Sequence, residues 1–162
     1  MNNDCLFSGD RVYRYSLIHR WDELVVPRKR ICWICLNPST ADEARGDPTV
    51  RRIKNFSSTW GFNEFELVNL FSFRASEPKD MKAASDPVGP CNDLRIDAAV
   101  SDAEITIAAW GNGGSFLNRS KVVINRLVGR KIHCLGVSQE SQPKHPLYLP
   151  GDATPAAWTV TK

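Results

Sequence analysis

An apolar run that stops at a cluster of turn residues is the feature that most constrains this chain. Residues 31–42 read I-C-W-I-C-L-N-P-S-T-A-D, so apolar side chains are followed at once by the polar cluster Asn37-Pro38-Ser39-Thr40. The run is too short to cross a membrane and has the length of a buried strand. In α/β proteins, ligands bind where such strands end. The run therefore predicts a buried strand with a site at its carboxyl end.

Strand and helix patterns alternate along the rest of the chain. Strand-like runs rich in β-branched or aromatic residues lie at 31–36, 65–71, 105–110 and 131–137. Helical patterns lie between them at 48–60, 93–102 and 115–127, with Asp47 and Asn92 as N-caps of the first two. This alternation is typical of right-handed crossovers. It predicts a three-layer α/β/α domain with a central, mainly parallel sheet of about four strands.

The flanking segments add little to this core. Residues 11–21 alternate basic or polar with apolar side chains, which favours a strand or hairpin covering one edge, with 22–29 as its turn. Residues 76–90 are punctuated by Pro and Asp and are expected to form a surface loop. A chain of 162 residues without a linker suits a single domain, 1–162.

Charge and hydropathy restrict the cellular setting. The 21 Lys and Arg against 18 Asp and Glu leave a formal charge of +3, which permits a polyanionic partner but does not argue for one. No segment has the apolar length of a membrane span, and the polar start M-N-N-D-C differs from a signal peptide. We expect a cytoplasmic protein without membrane contact. The oligomeric state stays open.

Five cysteines, an odd number, do not suggest a disulfide framework. Cys32 and Cys35 have the spacing of a redox or zinc pair. On a strand, however, a separation of three places the two side chains on opposite faces. With no second pair at ligand spacing, neither a metal nor another cofactor is predicted.

Polar residues follow every predicted strand, and in a parallel sheet these loops meet at one edge. They offer amides, hydroxyls, a carboxylate, cations and backbone N–H groups, a set that suits a polar planar ligand, a phosphate, or both. The candidate residues are Asn37, Pro38, Ser39 and Asp42 after the first strand, Asn69 and Arg74 at the second, Gly111 and Asn112 after the third, and Lys144 and His145 after the fourth.

Structural explanations compete with each of these assignments. Asn-Pro-Ser-Thr is also a common turn composition. The segment G-N-G-G at 111–114 is either a strand-to-helix turn or a phosphate-binding loop, and it matches neither a P-loop nor a G-x-G-x-x-G motif. Arg51 and Arg52 also fit the solvated face of a helix.

Several motifs resemble a family of small bacterial and phage proteins of unknown function. They are L-N-P-S-T-A-D-E at 36–43, D-P-T-V-R-R at 47–52, W-G-F at 60–62, N-L-F-S-F-R-A at 69–75, D-P-V-G-P at 86–90, N-D at 92–93 and K-H-P-L-Y-L at 144–149. The resemblance spans nearly the whole chain and implies no established activity.

A more distant resemblance is to the uracil-DNA glycosylase superfamily. C-L-N-P-S at 35–39 is similar to the G-I-N-P-G strand end of the mismatch-specific and thymine-DNA branches, and K-H-P-L at 144–147 is similar to their His-Pro-Ser loop. V-N-L at 68–70 and A-W-G at 109–111 are similar to two further strand ends. The resemblance implies a glycosylase-like fold in which Asn37 orients the attacking water. Ser39 and Leu147 differ from the Gly and Ser of those motifs, and this favours a modified base over uracil.

These observations lead to one functional hypothesis and two rivals. We expect a DNA-glycosylase-like hydrolase that recognises a modified nucleobase, with Asn37 orienting water, Asp42 as general base and His145 stabilising the leaving base. The base would be held by Pro38, Ser39, Asn69, Arg74, Gly111 and Asn112, and phosphates by Arg51, Arg52 and Lys144. The rivals are a non-catalytic nucleic-acid or nucleotide sensor and an enzyme acting on free nucleotides.

Overall fold

A seven-stranded mixed sheet runs through the computed structural model, which describes residues 2–22, 24–40 and 47–158. Its strands are β1 Asn2–Phe7, β2 Arg14–Arg20, β3 Arg30–Cys35, β4 Glu64–Asn69, β5 Ile105–Ala108, β6 Ile132–Cys134 and β7 Ala156–Ala157. They lie in the order β1-β2-β4-β3-β5-β6-β7. Parallel pairing joins β4 to β3, β3 to β5 and β5 to β6, whereas β1, β2 and β7 pair antiparallel.

The sheet is therefore wider and more mixed than the predicted, mainly parallel sheet of about four strands. The difference comes from the edges. Strand β1 reads N-N-D-C-L-F and β7 is two alanines, so neither has the β-branched composition that marks a strand, and both are held by pairing with a neighbour. The expected edge strand within 11–21 is β2, which lies inside the sheet because β1 covers it.

Strand β3 supplies both hydrophobic cores. Ile31, Trp33 and Cys35 pack on one face with the buried side of helix α1 (Pro48–Thr59). Cys32 and Ile34 pack on the other face against α3 (Asn92–Asp102) and α4 (Arg119–Arg126). Helices therefore cover both faces of the sheet. None of the helices in the described part of the chain has the length and hydropathy that a membrane crossing requires.

Helix α1 begins and ends as its sequence predicts. Asp47 is the N-cap, and its Oδ1 accepts hydrogen bonds from the backbone N–H of Thr49 at 2.8 Å and of Val50 at 3.4 Å. Pro48 occupies the first helical position, which suits its fixed φ. After the cap residue Trp60, Gly61 has a φ of +84°, a backbone conformation that favours glycine.

The other helices differ from the prediction in detail. Asn92 is the first residue of α3 and not its cap; its side chain instead donates to the carbonyls of Asn69 and Leu70, at 2.9 and 3.0 Å. Those carbonyls lie where β4 ends and need buried donors. The predicted loop at 76–90 contains a short helix, α2 (Pro78–Ala83). The predicted helix at 115–127 starts late, because Asn112–Asn118 forms a kinked 3₁₀ segment.

Cys32 and Cys35 lie on opposite faces of the sheet, as their spacing on a strand predicts. Burial raises the pKa of the Cys35 thiol to about 12, and burial also raises the pKa of Cys32 well above its usual value. Both are therefore protonated at neutral pH, whereas metal binding and redox exchange use the thiolate. Within the described residues, no group of three or more His, Cys, Asp or Glu side chains is placed to hold a metal ion.

Replacing either buried cysteine should cost packing energy only. We expect Cys32→Ala and Cys35→Ala each to lower the free energy of unfolding by about 1 kcal/mol, and the double variant to lose the sum, since the side chains share no cluster. Denaturant unfolding measures this, with the exposed Cys91→Ala as control. A double variant no worse than a single one, or stoichiometric zinc or iron lost on substitution, would contradict the packing role.

Candidate functional site

A cleft of about 390 Å³ opens at the carboxyl ends of β3, β4 and β5. This is the edge at which ligands bind in open α/β sheets, and the volume lies in the range of small-molecule sites. The predicted site residues that line it are Asn37, Ser39, Asn69, Gly111, Asn112 and His145. The sheet thus brings together side chains from four separate segments of the chain.

Asn37 ties the loop after β3 to the loop after β4. Its Nδ2 donates to the backbone carbonyls of Ala75 at 2.9 Å and of Pro38 at 3.2 Å. The Pro38 carbonyl also accepts from the N–H of Ala75 at 2.9 Å, and Pro38 itself is buried outside the cleft lining. Within the described residues nothing donates to Asn37 Oδ1, so this oxygen is available to a ligand or a water.

Asp47 brings a carboxylate into the cleft. Besides capping α1 through Oδ1, it accepts a hydrogen bond on Oδ2 from the Ser39 hydroxyl at 3.3 Å. Of the described residues that line the cleft, Asp47 alone carries a carboxylate. The local sequence indicates Asp47 only as a helix cap, although the first helix after β3 must start at the carboxyl edge of the sheet. The predicted general base, Asp42, lies outside the described residues.

His145 caps a 3₁₀ turn, Pro146–Tyr148, at the side of the cleft. Its Nδ1 accepts from the N–H of Leu147 at 3.3 Å, so the neutral ring carries its proton on Nε2. Burial lowers the pKa of His145, and the Asp47 carboxylate offsets part of that effect. The ring is therefore a neutral hydrogen-bond donor at pH 7.

The loop before His145 is held against the end of β5. The N–H of Gly111 donates to the Pro143 carbonyl at 2.7 Å, and Gly111 adopts a φ of +70°. A Cβ atom on Gly114 would overlap the Trp110 ring, and one on Gly113 would lie 2.7 Å from Leu36 Cδ2. The glycines at 113 and 114 therefore serve close packing, which favours the strand-to-helix turn over a phosphate-binding loop.

The neighbouring Asn112 lines the cleft, and a hydrogen bond holds its side chain there. Its Oδ1 accepts from the Ser138 hydroxyl at 2.6 Å.

Asn69, in contrast, is 2% exposed, and its Nδ2 has no hydrogen-bond partner among the described residues. A buried amide N–H without an acceptor is costly unless a ligand supplies one.

The predicted cationic residues separate into two groups, and none of them lines the cleft. Arg74 donates to the carbonyls of Arg11 and Thr40, at 3.0 and 3.2 Å. Arg52 donates to the carbonyls of Pro146 and Leu149 and lies over the Phe56 ring. These two guanidinium groups hold loops together. Arg51 and Lys144 are exposed.

Arg14 is a cleft residue that no local sequence pattern indicates. It is 4% exposed and lines the cleft at the start of β2. Because β2 runs antiparallel to β4, its first residue lies beside the end of β4, and the N–H of Arg14 donates to the Ser72 carbonyl at 3.0 Å. The β1–β2 register also shifts here: Ser16 pairs with Leu6 and Arg14 with Phe7, which leaves one extra residue in β2. Such irregularities re-aim side chains.

An exposed aromatic residue stands at the mouth of the cleft. Tyr148 is 83% exposed, and its ring centroid lies 5.9 Å from that of His145. Aromatic faces of this kind are surfaces on which planar ligands stack.

Comparisons with known proteins identify a family and nothing closer. The chain matches no curated protein and no solved structure, so the likeness to the uracil-DNA glycosylase superfamily rests on the quoted motifs alone. Residues 14–147, most of the chain, match one family of uncharacterised proteins, as the shared motifs predict. The chain belongs to the family described as Protein of unknown function (DUF1643).

Proposed function

We propose that the cleft binds a modified nucleobase and that the protein hydrolyses the N-glycosidic bond of that base. The observation that carries the proposal is the convergence of Asn37, Asp47, Asn69 and His145, which line one cleft of nucleotide-compatible size. The motifs similar to uracil-DNA glycosylases lie at three of these four positions, and a glycosylase-like fold is part of the proposal.

Each side chain has a chemical task in this reaction. Asn37 Oδ1 accepts a hydrogen bond from a water, and Asp47 takes a proton from that water as its oxygen attacks the anomeric carbon. The carbon–nitrogen bond breaks, and its electron pair leaves with the base. The Nε2–H of His145 donates to the departing base and stabilises its negative charge. Asn69 Nδ2 donates to an acceptor on the base edge, as recognition of an extruded base requires.

A hydrolase acting on free nucleotides is the second candidate. The observation favouring it is that Arg52, one of the three cations assigned to phosphates, is already bonded to backbone carbonyls. Of the cations assigned to a DNA backbone, only Arg51 and Lys144 remain exposed. A nucleotide held wholly inside the cleft needs no such track of phosphate contacts.

A release assay tests the proposal. Purified protein is incubated with duplex and single-stranded DNA, each carrying one modified base from a panel, and in parallel with free nucleotides; released base is measured by mass spectrometry. Release from DNA supports the glycosylase, and release only from nucleotides supports the second candidate. Binding of these ligands without release of any base would replace the hydrolase with a sensor.

Asp47→Asn separates the proposed catalytic role of Asp47 from its capping role. Asn caps helices about as well as Asp, so the free energy of unfolding should stay within about 0.5 kcal/mol of wild type. Loss of the general base should lower kcat by about 10²–10⁴-fold. The control Asp47→Ala should lose the cap as well, at about 1 kcal/mol. Unchanged turnover in Asp47→Asn would remove Asp47 from the mechanism.

Asn37→Ala should abolish turnover while leaving ligand binding largely intact, because the water is positioned chiefly in the transition state. The lost bonds to Ala75 and Pro38 should cost about 1 kcal/mol of folding stability. Asn92→Ala is the matched control, since Asn92 also donates to two carbonyls but does not line the cleft. If both variants lose activity only in proportion to stability, Asn37 is a structural amide.

The salt dependence of DNA affinity tests whether the substrate is DNA and not a free nucleotide. If Lys144 and Arg51 contact phosphates, Lys144→Ala and Arg51→Ala should each reduce the slope of log affinity against log salt by about one, without changing base preference. Arg52→Ala should instead lower the melting temperature, because its bonds are to the protein. Absence of DNA binding by wild type at low salt would leave the free nucleotide as the substrate.

A further inference from the structure

We propose that Arg14 and Asn69 form an oxyanion-binding pair in the cleft, which takes the phosphate or carboxylate group of a small ligand. The inference does not depend on the hydrolytic activity proposed above. It rests on two donors from buried residues, one cationic and one neutral, that line the same cleft. Among the described residues, Asn69 Nδ2 has no hydrogen-bond partner, and the Arg14 guanidinium has no carboxylate in contact.

Arg14 is a buried cation without a counterion in contact. Within the described residues, its guanidinium makes no hydrogen bond and no ion pair within 4.0 Å. Cys5 and Asp47 favour its charged form through space, while Arg74 opposes it. Burial lowers the pKa of Arg14 from its usual value, yet arginine stays charged at neutral pH. An unpaired buried charge destabilises a folded protein until a ligand neutralises it.

Arg119 is a buried arginine with a structural role, and it can be compared directly with Arg14. It is also 4% exposed, but its Nε donates to the Leu70 carbonyl at 2.8 Å, and its guanidinium pairs with Asp93. The two residues have equal burial and opposite partnering. The contrast indicates that the guanidinium of Arg14 pairs with a ligand that enters the cleft.

Asn69 supplies the second donor. Its backbone carbonyl is occupied by Asn92, while its side-chain Nδ2 is buried without an acceptor. Carboxylate and phosphate oxygens accept several hydrogen bonds at once, and a guanidinium binds them in a bidentate manner. A ligand with such a group would neutralise Arg14 and also accept from Asn69 Nδ2, which carries two hydrogens and can still donate the other to a base edge. A neutral nucleobase or nucleoside would leave Arg14 without a counterion.

The test combines stability and binding in the full-length protein. Wild type, Arg14→Met, Asn69→Ala and the control Arg119→Met are dialysed free of anions other than chloride. Melting temperature is measured alone and with inorganic phosphate, malonate, nucleoside 5′-monophosphates and the parent nucleosides, and affinities are measured by calorimetry. Phosphate against malonate distinguishes the two oxyanions, and monophosphates against nucleosides show whether the anion belongs to a nucleotide.

We expect a phosphate or carboxylate ligand to stabilise wild type, and Arg14→Met to weaken its binding at least tenfold. Without ligand, Arg14→Met should melt at or above the wild-type temperature, while Arg119→Met should melt well below it. Asn69→Ala should bind more weakly but stay folded. If Arg14→Met melts as low as Arg119→Met, Arg14 is structural and the proposal fails. It also fails if none of these anions stabilises the wild type.

Discussion

Burial of β3 on both faces is the constraint on which the rest of this structure depends. From Ile31 to Cys35 no side chain is more than 4% exposed, so each face of the sheet must be covered by helices. Helices on both faces require crossover connections, and crossovers return the chain to the same edge for every parallel strand. The polar loops meet at that edge as a consequence. The site is thus a product of the way in which an apolar strand is buried.

Buried polar groups stabilise the backbone at the carboxyl edge of the sheet. Where β4 ends, the carbonyls of Asn69 and Leu70 leave the sheet ladder and are satisfied by the side chains of Asn92 and Arg119. Because helices α3 and α4 supply these donors, the helical layer determines how the chain leaves the strand. At the other end of β4, the buried Glu64 pairs with Arg20 and Arg30. Two residues further along the strand, the fully buried Glu66 pairs with Arg30 and with Arg95, which secures α3 to the sheet. The strand is anchored by polar contacts at both ends.

The sequence was informative where local signals and burial agree. Helix α1 was predictable because Asp47, Pro48 and an apolar stripe all indicate the same start and face, and β3 because its apolar run stops at turn residues. Arg14 was not, because its position depends on β2 running antiparallel beside β4, a pairing between segments about fifty residues apart that no local pattern encodes. The same reason explains the missed edge strands. Asp47 could be predicted as the N-cap of α1, but its place in the cleft follows from the topology of the sheet.

The two strands at the edges of the sheet have a consequence for how this fold can vary. The family match runs from Arg14 to Leu147 and leaves out β1 and β7, which are the outermost strands on the two sides. An edge strand has a single neighbour, so adding or removing it alters one pairing and no crossover. Edge strands can therefore be added to the sheet or lost from it, while the inner strands that shape the cleft keep their pairing register.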